Sequence, residues 1–348
     1  MPELRRDPVV GYWTIIATER GWRPIELKTK VLTDERPCPF CEGKESETPT
    51  EIFAIRKPGT KPSTPGWDVR SILSKQAILS QEKTKAERHD RGIYELINGV
   101  GHHEVIVETP LHKLDFAELE PQATEKVVRT YLARFRELQE DPRFNYALLF
   151  KNHGYVSGAA RDVIRHARSQ IIAMPIMPKR VKEELESAKA YFEQHDRCVF
   201  CDILAQEKNE GMRIVTENNS FFAFCPFASR SPFEMWILPK SHVADFGRLA
   251  DGAVPDFASI LKDCLSRLRG LLGDPPFNFV MHTAPFRHAK EDVYWKTLDK
   301  DYHWYLQISP RLTHSAGFEW GTGIHINPTP PEEAAALLRE AGETHARA

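Results

Sequence analysis

Apolar residues recur along the chain with two spacings, and each spacing predicts one kind of element. Alternating apolar positions in "HEVIVETP" (103–110) and "FEMWILPKSH" (233–242) predict two strands. Apolar residues three and four apart in "TEKVVRTYLARFRELQED" (124–141) and "DFASILKDCLSRLRGLL" (256–272) predict two amphipathic helices. A turn and a further apolar strand follow each helix. The pattern therefore predicts an α+β fold.

These elements occur twice in the same order, which predicts a tandem duplication. In each half a CxxC pair is followed by a strand, a helix, a turn with a strand, and a histidine with glutamine four residues later. The last motif is "HARSQIIAMP" in the first half and "HWYLQISPRL" in the second. We predict one repeat over residues 1–178 and another over 179–348, with the polar helix "PKRVKEELESAKAYFEQHDR" at their junction.

Composition narrows the class of protein. The 348 residues are 41% hydrophobic and 28% charged, so a packed core is expected. A formal net charge of −2 gives no basic signature for nucleic acid. No apolar run approaches the ~18 residues of a membrane span. The start, "MPELRRDPVVGYW", lacks the apolar stretch of a signal peptide. We expect a soluble, cytoplasmic protein.

Each repeat also offers two cysteines and two histidines suited to zinc. The first set is Cys38, Cys41, His112 and His166, and the second is Cys198, Cys201, His242 and His303. Two thiolates and two imidazoles match the tetrahedral preference of Zn²⁺, and four protein ligands leave no open position, so both sites are predicted to be structural. A thioredoxin-like redox role is disfavoured because neither CxxC is predicted to open a helix within a βαβ unit.

The ordered motifs resemble one enzyme family. They are "RRDPVVGYWTIIATERGWRP", "CPFC", "NHGYVSGA", "SQIIAMP", "CVFC", "SPFEMWILPKSH" and "AGFEWGTGIHINPTPPEEAA". The chain is similar to the galactose-1-phosphate uridylyltransferase family, and most to its ADP-glucose phosphorylase-like branch. The resemblance implies the histidine-triad superfold, with each repeat an antiparallel half-barrel flanked by helices, and a homodimer. It also implies nucleotidyl transfer between a nucleoside diphosphate sugar and a phosphate or sugar phosphate, within carbohydrate and galactose metabolism.

The resemblance carries roles for individual residues. Family enzymes attack the α-phosphorus with the second histidine of an HxH motif, whose first histidine binds zinc. Here His166 falls on the zinc ligand and Gln170 on a donor to the phosphate oxygens, while Arg168 stands in the nucleophile's place. The remaining matches are substrate-binding residues: Arg20 and Arg23 near the phosphates, Asn152 and Gly158 in the phosphate loop, and Phe318 and Glu319 at the sugar, contributed by the other subunit.

Three features depart from the family pattern. A guanidinium has no lone pair to attack with, so Arg168 excludes a covalent nucleotidyl intermediate at that position, although arginine grips phosphate well. The loop "SGAARDVIRHARSQ" is longer than the family's and adds Arg161 and Arg165. The nucleotide-contacting segment is changed to Ser74, Lys75 and Gln76, so the base specificity stays open.

Three hypotheses follow. In the first, an acceptor phosphate displaces the leaving group directly, and Arg168 and Gln170 stabilise the developing charge. In the second, the protein binds a nucleotide or sugar phosphate without catalysis. In the third, another histidine is the nucleophile: His153, or His166 if it does not bind zinc.

Overall fold

The computed structural model describes residues 1–20, 37–82, 85–112, 114–158, 166–287 and 296–346, with the side chains of Arg20, Tyr155 and residues 344–346 left out. Among these residues, no helix has both the length and the apolar character needed to cross a bilayer.

The strands of the described residues form two sheets. They are β1 (Glu3–Arg6), β2 (Trp13–Ile16), β3 (Glu51–Arg56), β4 (Trp67–Leu73), β5 (His102–Val107), β6 (Tyr146–His153), β7 (Arg168–Met174), β8 (Ile214–Glu217), β9 (Phe221–Phe224), β10 (Met235–Pro239), β11 (Phe277–His282), β12 (Tyr305–Pro310) and β13 (His325–Asn327). Ten of them make one open antiparallel sheet in the order β3-β4-β5-β7-β6-β11-β12-β10-β9-β8. The others form a small sheet in the order β1-β2-β13.

The strand order of the large sheet reflects the internal repeat. Strands β3-β4-β5-β7-β6 match β8-β9-β10-β12-β11 element by element, and the two halves meet where β6 pairs with β11. At this junction Asn278 lies directly opposite Asn152, and Phe277 opposite His153. The predicted α+β architecture is confirmed, and the two half-sheets prove to be joined edge to edge into a single sheet.

Helices cover the two faces of this sheet unequally. They are α1 (Pro121–Gln139), α2 (Lys179–His195), α3 (Val199–Glu210), α4 (Val254–Leu272), α5 (Leu298–Asp301), α6 (Gly317–Thr322) and α7 (Pro331–Ala346). Helices α1 and α4 pack against each other and share one apolar core with both half-sheets. Helices α2 and α3 share a second core with the opposite face of the second half-sheet. The corresponding face of β7 keeps half-buried positions.

Local sequence accounts for the bounds of the main helices. Helix α1 begins at Pro121, a residue suited to the first helical position, and α4 ends before Gly273, whose φ of +81° favours glycine. Both coincide closely with the predicted segments. The second CxxC pair does open a helix, because α3 begins directly after Cys198. Helix α3 follows another helix and not a parallel strand, so this pair does not open a helix within a βαβ unit, as predicted.

Candidate functional site

The first set of predicted zinc ligands converges. The donor atoms of Cys38, Cys41, His112 and His166 all lie within 4.8 Å of one another. The sulfur–Nδ1 distances are 3.5 Å for Cys38–His166, 3.5 Å for Cys41–His112 and 3.8 Å for Cys41–His166. Tetrahedral zinc, with Zn–S of about 2.3 Å and Zn–N of about 2.0 Å, places sulfur and nitrogen ligands about 3.5 Å apart. The geometry and the donor set therefore fit Zn²⁺.

The surroundings of His166 hold it in the form that binds metal. Its Nε2–H donates to the carbonyl of Thr109 at 2.7 Å, which leaves the lone pair on Nδ1 facing the two thiols. Burial lowers the pKa of His166 to about 4, so the ring is neutral at pH 7. His166 lies just before β7, which begins at Arg168, and the two cysteines lie in the turn that follows residue 37. A bound zinc would thus fasten this knuckle to the sheet.

The second set is assembled in part. Cys198, Cys201 and His242 converge, with 3.3 Å between Cys201 Sγ and His242 Nδ1. His303 stands outside that cluster, but its fully buried ring lies 5.2 Å from the ring of His242. Its Nε2 has no hydrogen-bond partner among the described residues, so it can serve as the fourth donor. The two thiols share one hydrogen bond, which lowers the pKa of Cys201, with His242 and His303 adding to the effect, and raises the pKa of Cys198.

Strand β7 places Arg168 and Gln170 on one face, as the alternation of a strand dictates. Both are half-buried, while Ser169 and Ile171 between and beyond them are buried against the opposite core. On that buried side the hydroxyl of Tyr131 donates to Glu108 at 2.7 Å, and the ammonium of Lys151 bonds Glu108 at 2.6 Å. The hydroxyl of Ser169 contacts Tyr131 at 2.6 Å and donates to Glu108, so this network holds β7 at its buried face.

Arg168 is held beside the zinc knuckle. Its Nη1 donates to the carbonyl of His166 at 3.2 Å, and its guanidinium carbon lies 5.7 Å from the ring centre of Phe40 in the "CPFC" turn. The ring of Phe40 also packs edge-on against His166. The metal site therefore supports the position of Arg168, and desolvation lowers the pKa of this arginine without removing its charge at pH 7.

A buried histidine that the sequence motifs did not single out, His103, orients Gln170. Nε2 of His103 lies 2.9 Å from Oε1 of Gln170, and the backbone N–H of Ile78 donates to the other ring nitrogen, Nδ1, at 3.4 Å. Because the ring is neutral, Nε2 must carry its proton and donate to Gln170. The amide nitrogen of Gln170 then has no acceptor among the described residues and is available to an anion.

The same histidine connects Gln170 to the changed nucleotide segment. The carbonyl of His103 accepts from the N–H of Ser74 at 2.8 Å and from the side chain of Gln81 at 3.2 Å. Lys75 and Gln76 are exposed in the turn that follows Ser74. The segment proposed to meet the nucleotide therefore lies next to the proposed phosphate donor.

Asn152 and Gly158 are also close to each other. A Cβ on Gly158 would lie 3.8 Å from Asn152 Nδ2, and the φ of +92° at Gly158 favours glycine. Since β6 and β7 pair with Phe150 opposite Gln170, Asn152 continues toward Arg168 on that same face. These residues converge on the proposed phosphate site.

Other predicted residues are not brought to this face. Phe318 is exposed and Glu319 half-buried on α6, next to the small sheet, where Glu319 accepts from the N–H of Ala316 at 2.9 Å. Their contribution to a second subunit's site stays a prediction. Arg23, Arg161 and Arg165, and the side chain of Arg20, lie outside the described residues.

The two alternative histidine nucleophiles are engaged elsewhere. His153 lies between two carboxylates, with its Nδ1 3.3 Å from Asp115 and its Nε2 2.7 Å from Asp274, and it stacks on Phe277. In His166, Nε2–H donates to a backbone carbonyl and Nδ1 faces the cysteines. Neither offers a free imidazole to a phosphorus atom.

Comparisons with known proteins identify the family of this chain. Residues 67–178 match the family model described as galactose-1-phosphate uridyl transferase, N-terminal domain, and residues 184–347 match its C-terminal domain. The ADP-glucose phosphorylase of Arabidopsis thaliana is 34% identical over 99% of this chain and 94% of its own length. The chain belongs to the galactose-1-phosphate uridylyltransferase family.

Further relatives show how evenly this family membership extends along the chain. The galactose-1-phosphate uridylyltransferase of Thermotoga maritima is 28% identical over 98% of both chains. The crystal structure of the Arabidopsis ADP-glucose phosphorylase with bound ADP-glucose aligns with a TM-score of 0.79 and 33% identity, over 98% of this chain and 99% of that one. A uridylyltransferase structure aligns with a TM-score of 0.74 and 28% identity, over 99% of both. These relatives are named as uridylyltransferases and as an ADP-glucose phosphorylase, and we consider the function of Arg168 within this family.

Proposed function

We propose that this protein transfers a nucleoside monophosphate from a nucleoside diphosphate sugar to a phosphate or sugar-phosphate acceptor by direct displacement. One observation carries the proposal: Arg168 and the oriented amide of Gln170 share one half-buried face of β7, beside Asn152 and Gly158. A face that had lost its function would have no need of an amide held in one orientation by a buried histidine.

The residues suit a single step. An oxygen of the acceptor forms a bond to the α-phosphorus, the bond from that phosphorus to the β-phosphate oxygen breaks, and its electron pair leaves with the sugar 1-phosphate. Negative charge spreads over the non-bridging oxygens in the transition state. Arg168 neutralises that charge and Gln170 donates to it, since preorganised donors act strongly in a partly desolvated site. One displacement inverts the configuration at phosphorus.

The family relationship also suggests the substrates, and the two sets of cysteines and histidines suggest the metal. The Arabidopsis relative is named ADP-glucose phosphorylase, so an ADP-sugar with inorganic phosphate is our first substrate pair and a UDP-sugar with hexose 1-phosphate the second. Two structural zinc ions per chain would hold the knuckles to the sheet through the eight cysteines and histidines. We also propose a homodimer in which Phe318 and Glu319 reach the partner's sugar site, and analytical ultracentrifugation tests it directly.

The second candidate function is a binding protein without catalysis. It is favoured by the arginine in the nucleophile's position, because every contact described above would serve binding equally well. The two candidates differ in turnover alone, so both predict affinity for a nucleoside diphosphate sugar.

The deciding experiment compares wild type with Arg168→His. Each is incubated with ADP-glucose or UDP-glucose, and with phosphate or hexose 1-phosphate, and the products are separated by ion-pair chromatography. We expect wild-type turnover, with inversion when the α-phosphorus is made chiral. An inactive wild type beside an active Arg168→His would favour the binding protein. Inactivity of both, without nucleotide binding, would contradict both candidates.

A further inference from the structure

The amide of Asn152 is oriented by a residue from the other repeat. Asn278 on β11 lies directly opposite Asn152 on β6, and its Nδ2 donates to Asn152 Oδ1 at 2.7 Å. The same Nδ2 donates to the carbonyl of Ser157 at 2.8 Å. One side chain therefore contacts both the strand that enters the 154–158 turn and the turn itself.

The direction of these hydrogen bonds is fixed by chemistry at two points. Arg311 Nε can donate but not accept, and it faces Asn278 Oδ1 at 2.5 Å. The carbonyl of Ser157 can accept but not donate, and it faces Asn278 Nδ2. Asn278 thus has one possible orientation, so the atom of Asn152 that it meets must be the acceptor, Oδ1.

The orientation of Asn152 then determines what it presents to a ligand. With Oδ1 occupied, Nδ2 points toward Gly158 and has no acceptor among the described residues. Asn152 therefore offers N–H donors, the groups that a phosphate accepts. A reversed amide would present an oxygen to the same anion and repel it.

We propose that Asn278 is a positioning residue of the second repeat, which holds the 154–158 turn of the first repeat and directs the amide nitrogen of Asn152 toward the phosphates of the substrate. This rests on the proposed function for the identity of the ligand. Arg311 sets the orientation of Asn278, and the second repeat thereby contributes to a site whose phosphate-facing residues all belong to the first.

The test reverses the hydrogen bond. In Asn278→Asp the acceptor for Arg311 remains, but a second oxygen replaces the donor, so Asn152 must turn its own Nδ2 toward the new carboxylate. We expect the affinity for ADP and UDP, measured by calorimetry, to fall about 10-fold or more. Affinity for adenosine and uridine, which lack phosphate, should stay unchanged. Asn278→Ala frees the amide of Asn152 to rotate and should cause a smaller loss.

The chain provides a matched control. Asn145 holds the same place in "DPRFN" that Asn278 holds in "DPPFN", and its Nδ2 donates to the carbonyl of Pro175. Asn145→Ala should leave nucleotide affinity and deuterium uptake across residues 154–158 unchanged, whereas both Asn278 variants should exchange faster there. Equal weakening of nucleotides and nucleosides, or unchanged affinity and uptake, would overturn the proposal. If wild type binds neither nucleotide, the proposed function fails, and the uptake data alone decide whether Asn278 holds the turn.

Discussion

Gln170 and Gln307 occupy the same place in the two repeats, yet their amides meet different surroundings. Gln307 is buried, its Oε1 lies 3.1 Å from His282 Nε2 and 3.2 Å from Arg180, and its Nε2 donates to Glu234 at 2.7 Å. Gln170 accepts from His103 and keeps its Nε2 without an acceptor among the described residues. One amide is a structural connector and the other is available to a ligand.

The cover over each strand explains this difference. Helices α2 and α3 pack on the outer face of the second half-sheet, where Tyr305 stacks flat on the ring of His282 at 4.2 Å. Arg168, which is at the same motif position as Tyr305, lies half-buried beside Phe40. Helix α2, which joins the two repeats, thus helps to cover the outer face of the second half-sheet. The duplication produced two similar faces: α2 and α3 pack on the second, whereas Arg168 and Gln170 on the first are half-buried.

The largest expected effect comes from the zinc sites, where the comparison predicts equivalence. Cys38→Ser and Cys198→Ser should each lower the zinc content by about one ion per chain and destabilise the fold by several kcal/mol, because metal binding contributes directly to folding free energy. Atomic absorption and thermal unfolding measure both effects.

A buried cysteine outside the sites controls for thiol loss. Cys264 is fully buried in the core on α4. Cys264→Ala should keep about two zinc ions per chain while it loses some stability. If Cys198→Ser retained the full zinc content, the second site would not be a metal site.

Much of this comparison follows from the sequence. The repeated CxxC, histidine and glutamine motifs located the proposed ligands, and the period of two placed Arg168 and Gln170 on one face. His103 was missed because its partner depends on the register of β5 against β7, where Val105 pairs with Gln170. With that pairing in hand, alternation puts His103 on the same face as Gln170.

Asn278 was missed for a similar reason. Its contact with Asn152 arises where two repeats far apart in sequence meet edge to edge. The sequence predicts each repeat from local pattern, but periodicity says nothing about which strands form the junction. The covered face of the second repeat was not predicted either, because the polar sequence of α2 is also typical of a solvent-exposed helix.

The next largest effect is expected at the motif position that Arg168 occupies in the first repeat and Tyr305 in the second. Arg168→Ala should weaken ADP or UDP binding about 10- to 100-fold, since it removes charge-assisted hydrogen bonds worth about 1.5–3 kcal/mol. Tyr305→Phe should leave that affinity unchanged, because its hydroxyl lies 3.4 Å from Glu184 in the covered face. Calorimetric titration of both variants measures the difference. Equal effects would mean that the second repeat also contacts nucleotide.

The two glutamines should show opposite effects. Gln307→Ala leaves Glu234 and His282 without a buried partner and should cost about 2 kcal/mol of unfolding free energy, with ligand affinity retained. Gln170→Ala should cost little stability and weaken nucleotide binding about 10-fold. Urea unfolding and calorimetry on the same two variants provide the test, and a large stability loss in Gln170→Ala would make that glutamine structural as well.

The smallest effect concerns two ion-paired carboxylates, one from each repeat: Asp115 is half-buried and Glu184 is buried. Burial alone would raise the pKa of Asp115, but Lys151 and His153 outweigh it and lower the pKa to about 2. His282 and Arg180 likewise lower the pKa of Glu184 to about 2 against its burial. A lowered folded-state pKa gives stability that is present above the unfolded value of about 4 and is lost as pH falls toward 2.

Substitution should therefore flatten the acid limb of the stability profile. Asp115→Asn and Glu184→Gln should each remove about 2 kcal/mol of the pH-dependent loss between pH 4 and pH 2, although both also lower stability at pH 7. Urea unfolding across that pH range measures the slope for each variant. If both variants flatten the acid limb equally, the two repeats stabilise their carboxylates alike. The functional difference between the repeats would then lie in the β7 and β12 faces. A flattened slope in Asp115→Asn alone would extend the asymmetry of the two repeats to their ion-paired carboxylates.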